Sequence, residues 1–120
     1  MEKVLIVGCK RAMDDVCVAC SRCMVGFNRR EGEFSRYSAE DQLIGILGCG
    51  DCPGAAIVPR LAQINLWNKP MDERPTKVHI APCIKDHCPY NEPIMKKIKA
   101  KAGVEVIEGT HPYIPENIFA

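Results

Sequence analysis

The sequence predicts a three-layer α/β domain built on a parallel four-stranded sheet, in the order βαβαβαβ. Short runs of strand length predict it first: Val4–Val7 and Leu43–Leu47 are continuously apolar, as expected of strands covered on both faces, and Lys77–Ala81 and Val104–Ile107 are the third and fourth runs. Helical periodicity between those runs predicts it second, because strands alternating with helices fold into a parallel sheet with right-handed crossovers. A third observation concerns chemistry. Cysteines follow one strand after another, and the carboxyl ends of parallel strands share one edge.

Taken in order, Val4–Val7 ends at Gly8-Cys9. Lys10–Val16 has the character of a loop, and Cys17, Cys20 and Cys23 then come at three-residue spacing. A helix is expected from about Cys20 to Arg30, with Met24 and Phe27 inward, Arg29, Arg30 and Glu31 outward, and Gly32 as its stop. The second run, Leu43–Leu47, delivers Cys49 and Cys52 in a tight Cys49-Gly50-Asp51-Cys52 turn. In the following helix Pro53 fits the first turn, while Ile57, Leu61 and Ile64 form an apolar stripe. Pro59 must either kink that helix or mark its true start.

Asn68–Pro75 is polar and rich in proline and leads to the third run, which is followed directly by Pro82-Cys83 and by His87-Cys88-Pro89. Asn91 suits a helix N-cap, Ile94, Ile98 and Ala102 are spaced four apart, and lysines load the carboxyl end before Gly103. Val104–Ile107 leads to Gly109-Thr110-His111 and to a Pro-containing tail, Pro112–Ala120, with no assignable structure. His79 alternates inside its strand and is expected in the core or on a sheet face. No internal repeat or low-complexity segment is present.

The 120 residues fit one domain, 1–120, with an ordinary core. Sixteen Lys and Arg against fifteen Asp and Glu leave no electrostatic footprint for nucleic acid or an acidic membrane. No apolar segment approaches the ~20 residues of a membrane-spanning helix, and Met1-Glu2-Lys3 leads straight into a strand-like run without the form of a signal peptide. The expected compartment is therefore the reducing cytoplasm. There, the eight cysteines are expected to bind metal or do redox work rather than form a disulfide scaffold.

Cys17-x-x-Cys20-x-x-Cys23 has the spacing of the first three ligands of a bacterial ferredoxin-type cluster, and Cys52 and Cys88 are each followed by proline, as a fourth cluster ligand often is. Cys49-x-x-Cys52 is open to three readings: cluster ligands, half of a zinc site, or a redox dithiol on a helix amino end, with Pro59 adding to the last. Cys83, Cys88 and His87 could complete a mixed site, and His111 is a ligand candidate on the same edge. The Cys23-x5-Arg29 spacing of a phosphatase loop is set aside, because such a loop should follow a strand directly.

The chain resembles the CGGC-domain family of bacteria and archaea. The resemblance rests on the strand ending in Cys9, on Cys17 and the cysteines after it, on Cys49-Gly50-Asp51-Cys52-Pro53-Gly54, on Cys83 through Cys88-Pro89-Tyr90, and on Gly109-Thr110-His111. It implies a Cys- and His-lined metal site, with zinc the metal usually suggested, and it supplies no substrate. Asp51 departs from the family's second central glycine. Asp tolerates left-handed turns, but its carboxylate would raise the neighbouring thiols or add an oxygen ligand.

The expected metal ligands are thus Cys9, Cys17, Cys20, Cys23, Cys49, Cys52, Cys83, Cys88 and His111. Gly50, Asp51, Pro53 and Pro89 are expected to line the bound group. An iron–sulfur cluster is favoured over a zinc ion, serving electron transfer, redox sensing or metal handling, with a redox partner protein. A thiol–disulfide oxidoreductase using Cys49 and Cys52 is the enzymatic rival.

Overall fold

The computed structural model describes residues 1–10, 13, 21–50, 52–86 and 88–111. Among them, four parallel strands form one sheet in the order β2-β1-β3-β4: β1 Lys3–Gly8, β2 Gln42–Gly48, β3 Lys77–Ile80 and β4 Glu105–Glu108. The helices are α1 Ser21–Asn28, α2 Ile57–Asn68, α3 Pro82–Lys85 and α4 Asn91–Lys101, with single 3-10 turns at Gly32–Arg36 and Lys69–Met71. This is the expected three-layer α/β architecture, a doubly wound sheet of the Rossmann or flavodoxin kind.

Strand β1 is central, and Val4, Leu5, Ile6 and Val7 are all fully buried. Period-two alternation divides them between two cores. Val4 and Ile6 pack with Phe27, Phe34 and Tyr37 beneath α1 and the first 3-10 turn. Leu5 and Val7 pack with Ile57 and Leu61 of α2 and with Ile94 and Ile98 of α4. Each such side chain contributes about 1.5–3 kcal/mol by leaving water, so β1 anchors both layers. The equally apolar Leu43–Leu47 run is only half-buried, because β2 is an edge strand. Apolar content alone did not distinguish edge from centre.

The chain moves from β1 to β2 in one direction and from β2 across to β3 and β4 in the other. The first crossover places α1 on one face, and the later ones place α2 and α4 on the opposite face, as crossovers of one hand require. The direction reverses between β1 and β3, and in sheets of this order ligands bind beyond the strand ends at that reversal.

Register matters at this edge. Ile44 is an extra residue in β2: Val4 pairs with Leu43 but Leu5 pairs with Gly45. The shift sets Gly8 opposite Gly48, so Cys9 and Cys49 leave the sheet as neighbours. Without it, Cys9 would follow alongside Gly48.

Several local expectations are corrected. Helix α1 spans Ser21–Asn28 and so stops short of the expected end at Arg30, which takes φ 54°. Met24 is 50% exposed, not inward. Phe27 packs inward as expected, and Gly26 rather than Met24 is the other buried residue of the helix. Pro53 lies in a turn ahead of α2. Pro59 sits in the first turn of that helix and so marks its start, where a missing N–H costs nothing. Asn91 is the first residue of α4 rather than its cap, its Oδ1 accepting the Glu92 N–H at 2.7 Å. The readings placed on Lys10–Val16 lie, apart from Lys10 and Met13, outside the described residues, as do those on the tail 112–120.

Candidate metal centre

The strand ends bring the cysteines to one edge. Cys9 follows β1, Cys49 follows β2 and Cys83 lies in α3 directly after β3, while Cys88 comes before α4. Cys49 and Cys88 are buried, Cys9, Cys23 and Cys83 are half-buried, and Cys52 is exposed; all six are free thiols. Cys17, Cys20, Asp51 and His87 lie outside the described residues.

One group surrounds Cys49. Burial pushes its thiol above the ordinary 9.0, the Lys10 backbone N–H pulls against that, and charge on Cys9, Cys88 and Cys52 pushes it further. Cys9, Cys88 and Cys52 thus each lie near enough to Cys49 to push its thiol up. A bound cation reverses that sign, because coordinated thiols are deprotonated outright. Thiols are the donor type that a thiophilic metal or cluster takes. Among the described residues, no group of three or more His, Cys, Asp or Glu side chains is already drawn together at ligating distances.

The loops that carry these sulfurs have local causes. Gly50 takes φ +84°, and a Cβ there would lie 2.4 Å from that of Ala56, so the turn accepts only glycine. Cys88 sits in a hydrogen-bonded turn: its N–H donates to the Ile84 carbonyl at 3.3 Å, and its Sγ accepts the Tyr90 N–H at 3.4 Å. Pro53 and Pro89 are both exposed beside their cysteines.

A second group lies on the α1 face. Cys23 Sγ stands 3.8 Å from Nε2 of His111, which is 9% exposed. Gly26 permits this approach, since a Cβ there would meet the His111 Cβ at 2.9 Å. Glu31, paired with Arg22 at 2.6 Å, is close enough to His111 to feel its charge. Cys83 packs against the same core as Cys23. The backbone N–H of Cys9 donates to Cys83 Sγ at 3.1 Å and links the two groups.

The dithiol arrangement expected of Cys49 and Cys52 is not the one found. Helix α2 begins at Ile57, with a turn between it and Cys52, so the pair does not sit directly on the amino end of α2. The amino-terminal cysteine of the pair is the buried one and the other is exposed, the reverse of an activated attacking thiol.

Sequence reasoning missed Gly26, the Lys10 amide, and Tyr37 as the partner of His79. Neither Gly26 nor Lys10 carries a local signal. A lone Tyr between helix and strand offered none either.

A parallel α/β sheet with cysteines converging on its carboxyl edge defines the class: a cysteine-rich α/β protein with a candidate metal centre. Residues 3–111 match the model of the CGGC domain, and the chain belongs to that family. It is also similar to an uncharacterized protein of Methanocaldococcus jannaschii, 28% identical over 119 residues that cover 93% of this chain and 88% of the relative. No solved structure matches the chain. Among the described residues, no helix is long and apolar enough to cross a membrane.

Proposed function

We propose that the protein, as one domain, binds a metal centre through cysteine thiolates at the carboxyl edge of its sheet, and that the centre is an iron–sulfur cluster. What supports this reading is placement: Cys9 follows β1, the buried Cys49 follows β2 and Cys83 follows β3, so their thiols leave the sheet at one edge, and the Cys9 amide meets the Cys83 sulfur at 3.1 Å. An all-sulfur set from separate strand ends, shielded by a packed core, suits a cluster. The Cys17-x-x-Cys20-x-x-Cys23 run supplies further thiolates by its spacing. The cluster would supply one-electron chemistry. The chain's own part is to hold the sulfurs, exclude water from Cys49 and Cys88, and leave Cys52 at the surface, where a redox partner protein can approach. Electron transfer, redox sensing and metal handling all fit, and a reducing cytoplasm would keep the thiols available.

Zinc is the second reading. The contact of Cys23 with His111 favours it, since mixed thiolate and imidazole ligation is common for zinc. A thiol–disulfide oxidoreductase is disfavoured by the buried, upshifted Cys49.

Anaerobic purification followed by a visible spectrum and iron, sulfide and zinc analysis of one sample tests these readings. Broad visible absorption with matching iron and sulfide is the expected result. A colourless protein with stoichiometric zinc would overturn the cluster in favour of zinc. A colourless, metal-free and folded protein would overturn both.

A further inference from the structure

His79 is a fully buried titratable side chain that the proposed metal centre does not use. It stands in β3 against the Phe34 ring, 4.9 Å between centroids. Its Nδ1 lies 2.7 Å from the carbonyl oxygen of Gly109, and its Nε2 lies 2.5 Å from the hydroxyl of Tyr37. A carbonyl can only accept, so Nδ1 carries the hydrogen. In the neutral ring Nε2 is then bare and accepts the Tyr37 O–H. Both polar atoms of a fully buried imidazole are thereby satisfied, and the tautomer is set by the backbone it holds.

That backbone is the turn that ends in His111. The Gly109 N–H donates to the Ile80 carbonyl at 2.9 Å, and the Thr110 carbonyl accepts the Glu33 N–H at 3.0 Å. Together with the His79 contact, these bonds leave the turn little freedom. The next residue is His111, with its Cβ against Gly26 and its Nε2 beside Cys23. We propose that His79 is a positioning residue for His111: its Nδ1–H fixes the Gly109 carbonyl and so directs the His111 imidazole at Cys23. This rests on His111 being a metal ligand. It assigns the Tyr37–His79 pair the part that outer carboxylates and carbonyls play around ligating histidines, one step further along the backbone.

The test uses the reduced full-length chain with Co²⁺ alone as the probe, since its visible bands report whether imidazole shares the site with thiolate. H111A should change the spectrum and weaken binding. H79L, which keeps the bulk and removes both hydrogen bonds, should weaken binding about 10- to 100-fold and give the H111A spectrum. H79N, whose amide can still donate to Gly109, should keep the wild-type spectrum. An altered H111A beside an unaltered H79L overturns the positioning role and leaves the ligand reading standing. An unaltered H111A overturns the ligand reading and this proposal with it. Equal damage from H79L and H79N also overturns it, as the sign of a merely structural side chain. If H79L does not fold, nitrogen-15 spectra of the wild-type imidazoles decide: His79 protonated at Nε2 rather than Nδ1 overturns the proposal.

Discussion

The backbone N–H of Cys9 donates to the thiol sulfur of Cys83, 3.1 Å away, across the ends of two adjacent parallel strands. These are β1 and β3, between which the chain reverses its direction of travel through the sheet. In open sheets of this order, ligands bind beyond the strand ends at that reversal. Here a half-buried sulfur after one strand end stands against the backbone amide after the other. Gly8 contributes by omission: a Cβ at that position would come within 3.5 Å of the Cys83 sulfur and 2.9 Å of Met13 Sδ.

Removing that sulfur should expose the amide. C83A is expected to speed hydrogen exchange at Cys9 and to cost on the order of 0.5–1.5 kcal/mol in urea unfolding. C83S, whose oxygen can accept, should recover part of both. A Cys9 amide as protected in C83A as in the wild type would mean that the sulfur does not hold it.

Thiol burial predicts an order of reactivity. In the reduced, metal-free chain, iodoacetamide should modify exposed Cys52 well before buried Cys49, whose thiol is also held above its ordinary value. Mass spectrometry of timed digests reads this directly. Early modification of Cys49 would restore the dithiol enzyme as a contender.

Gly26 should resist a substitution that usually helps. Replacing glycine by alanine within a helix is ordinarily favourable by about 1 kcal/mol. At this position the new Cβ would stand 2.9 Å from the Cβ of His111, and neither atom can swing away. G26A is therefore expected to destabilise the fold by about 1–3 kcal/mol and to weaken any metal binding that uses His111. A stabilised G26A would show that α1 and the His111 turn are not packed this closely.

Burial holds His79 below its ordinary value of 6.5; the bond to Gly109 opposes that, Arg36 adds to it, and Glu33 and Glu105 oppose it. With the folded value depressed, the unfolded chain takes up the proton first as pH falls. The stability His79 contributes is therefore complete above 6.5 and is lost as pH falls through the depressed value. The carboxylates of Glu31, Asp41, Glu105 and Glu108, held low chiefly by Arg22, the Glu2 backbone, Lys77 and Lys99, act below their ordinary values of 4.5 and 3.8. Urea midpoints should thus drop between about pH 7 and about pH 5.5 in the wild type and drop less in H79N. Equal drops would assign the effect to another group. Tyr37, pushed up to about 12 mainly by burial, keeps its proton throughout this range.

Much of the fold was legible because its causes are local. Four strand-length runs, separated by helical spacing, are enough to specify a parallel sheet, and Ile94 and Ile98 are buried as their spacing predicts. Phe27 was placed correctly but Met24 was not, because α1 buries Gly26 beside Phe27, and no sequence pattern reports a helix's rotation about its own axis. The amino end of α2 was misplaced because Pro53 and Pro59 both suit a first helical turn, and packing of Ile57 decided between them.

By itself the sequence determined that strand ends carry cysteines and that those ends share an edge, since both follow from chain order and strand polarity. Only the tertiary structure decided which sulfurs are neighbours. That depends on strand order, which sets β1 between β2 and β3, and on the extra residue Ile44, which brings Cys9 level with Cys49. It also decided that His111 meets Cys23 and that His79 holds the turn between them. Such contacts join residues far apart in the chain through packing and backbone hydrogen bonds, and no local pattern encodes them.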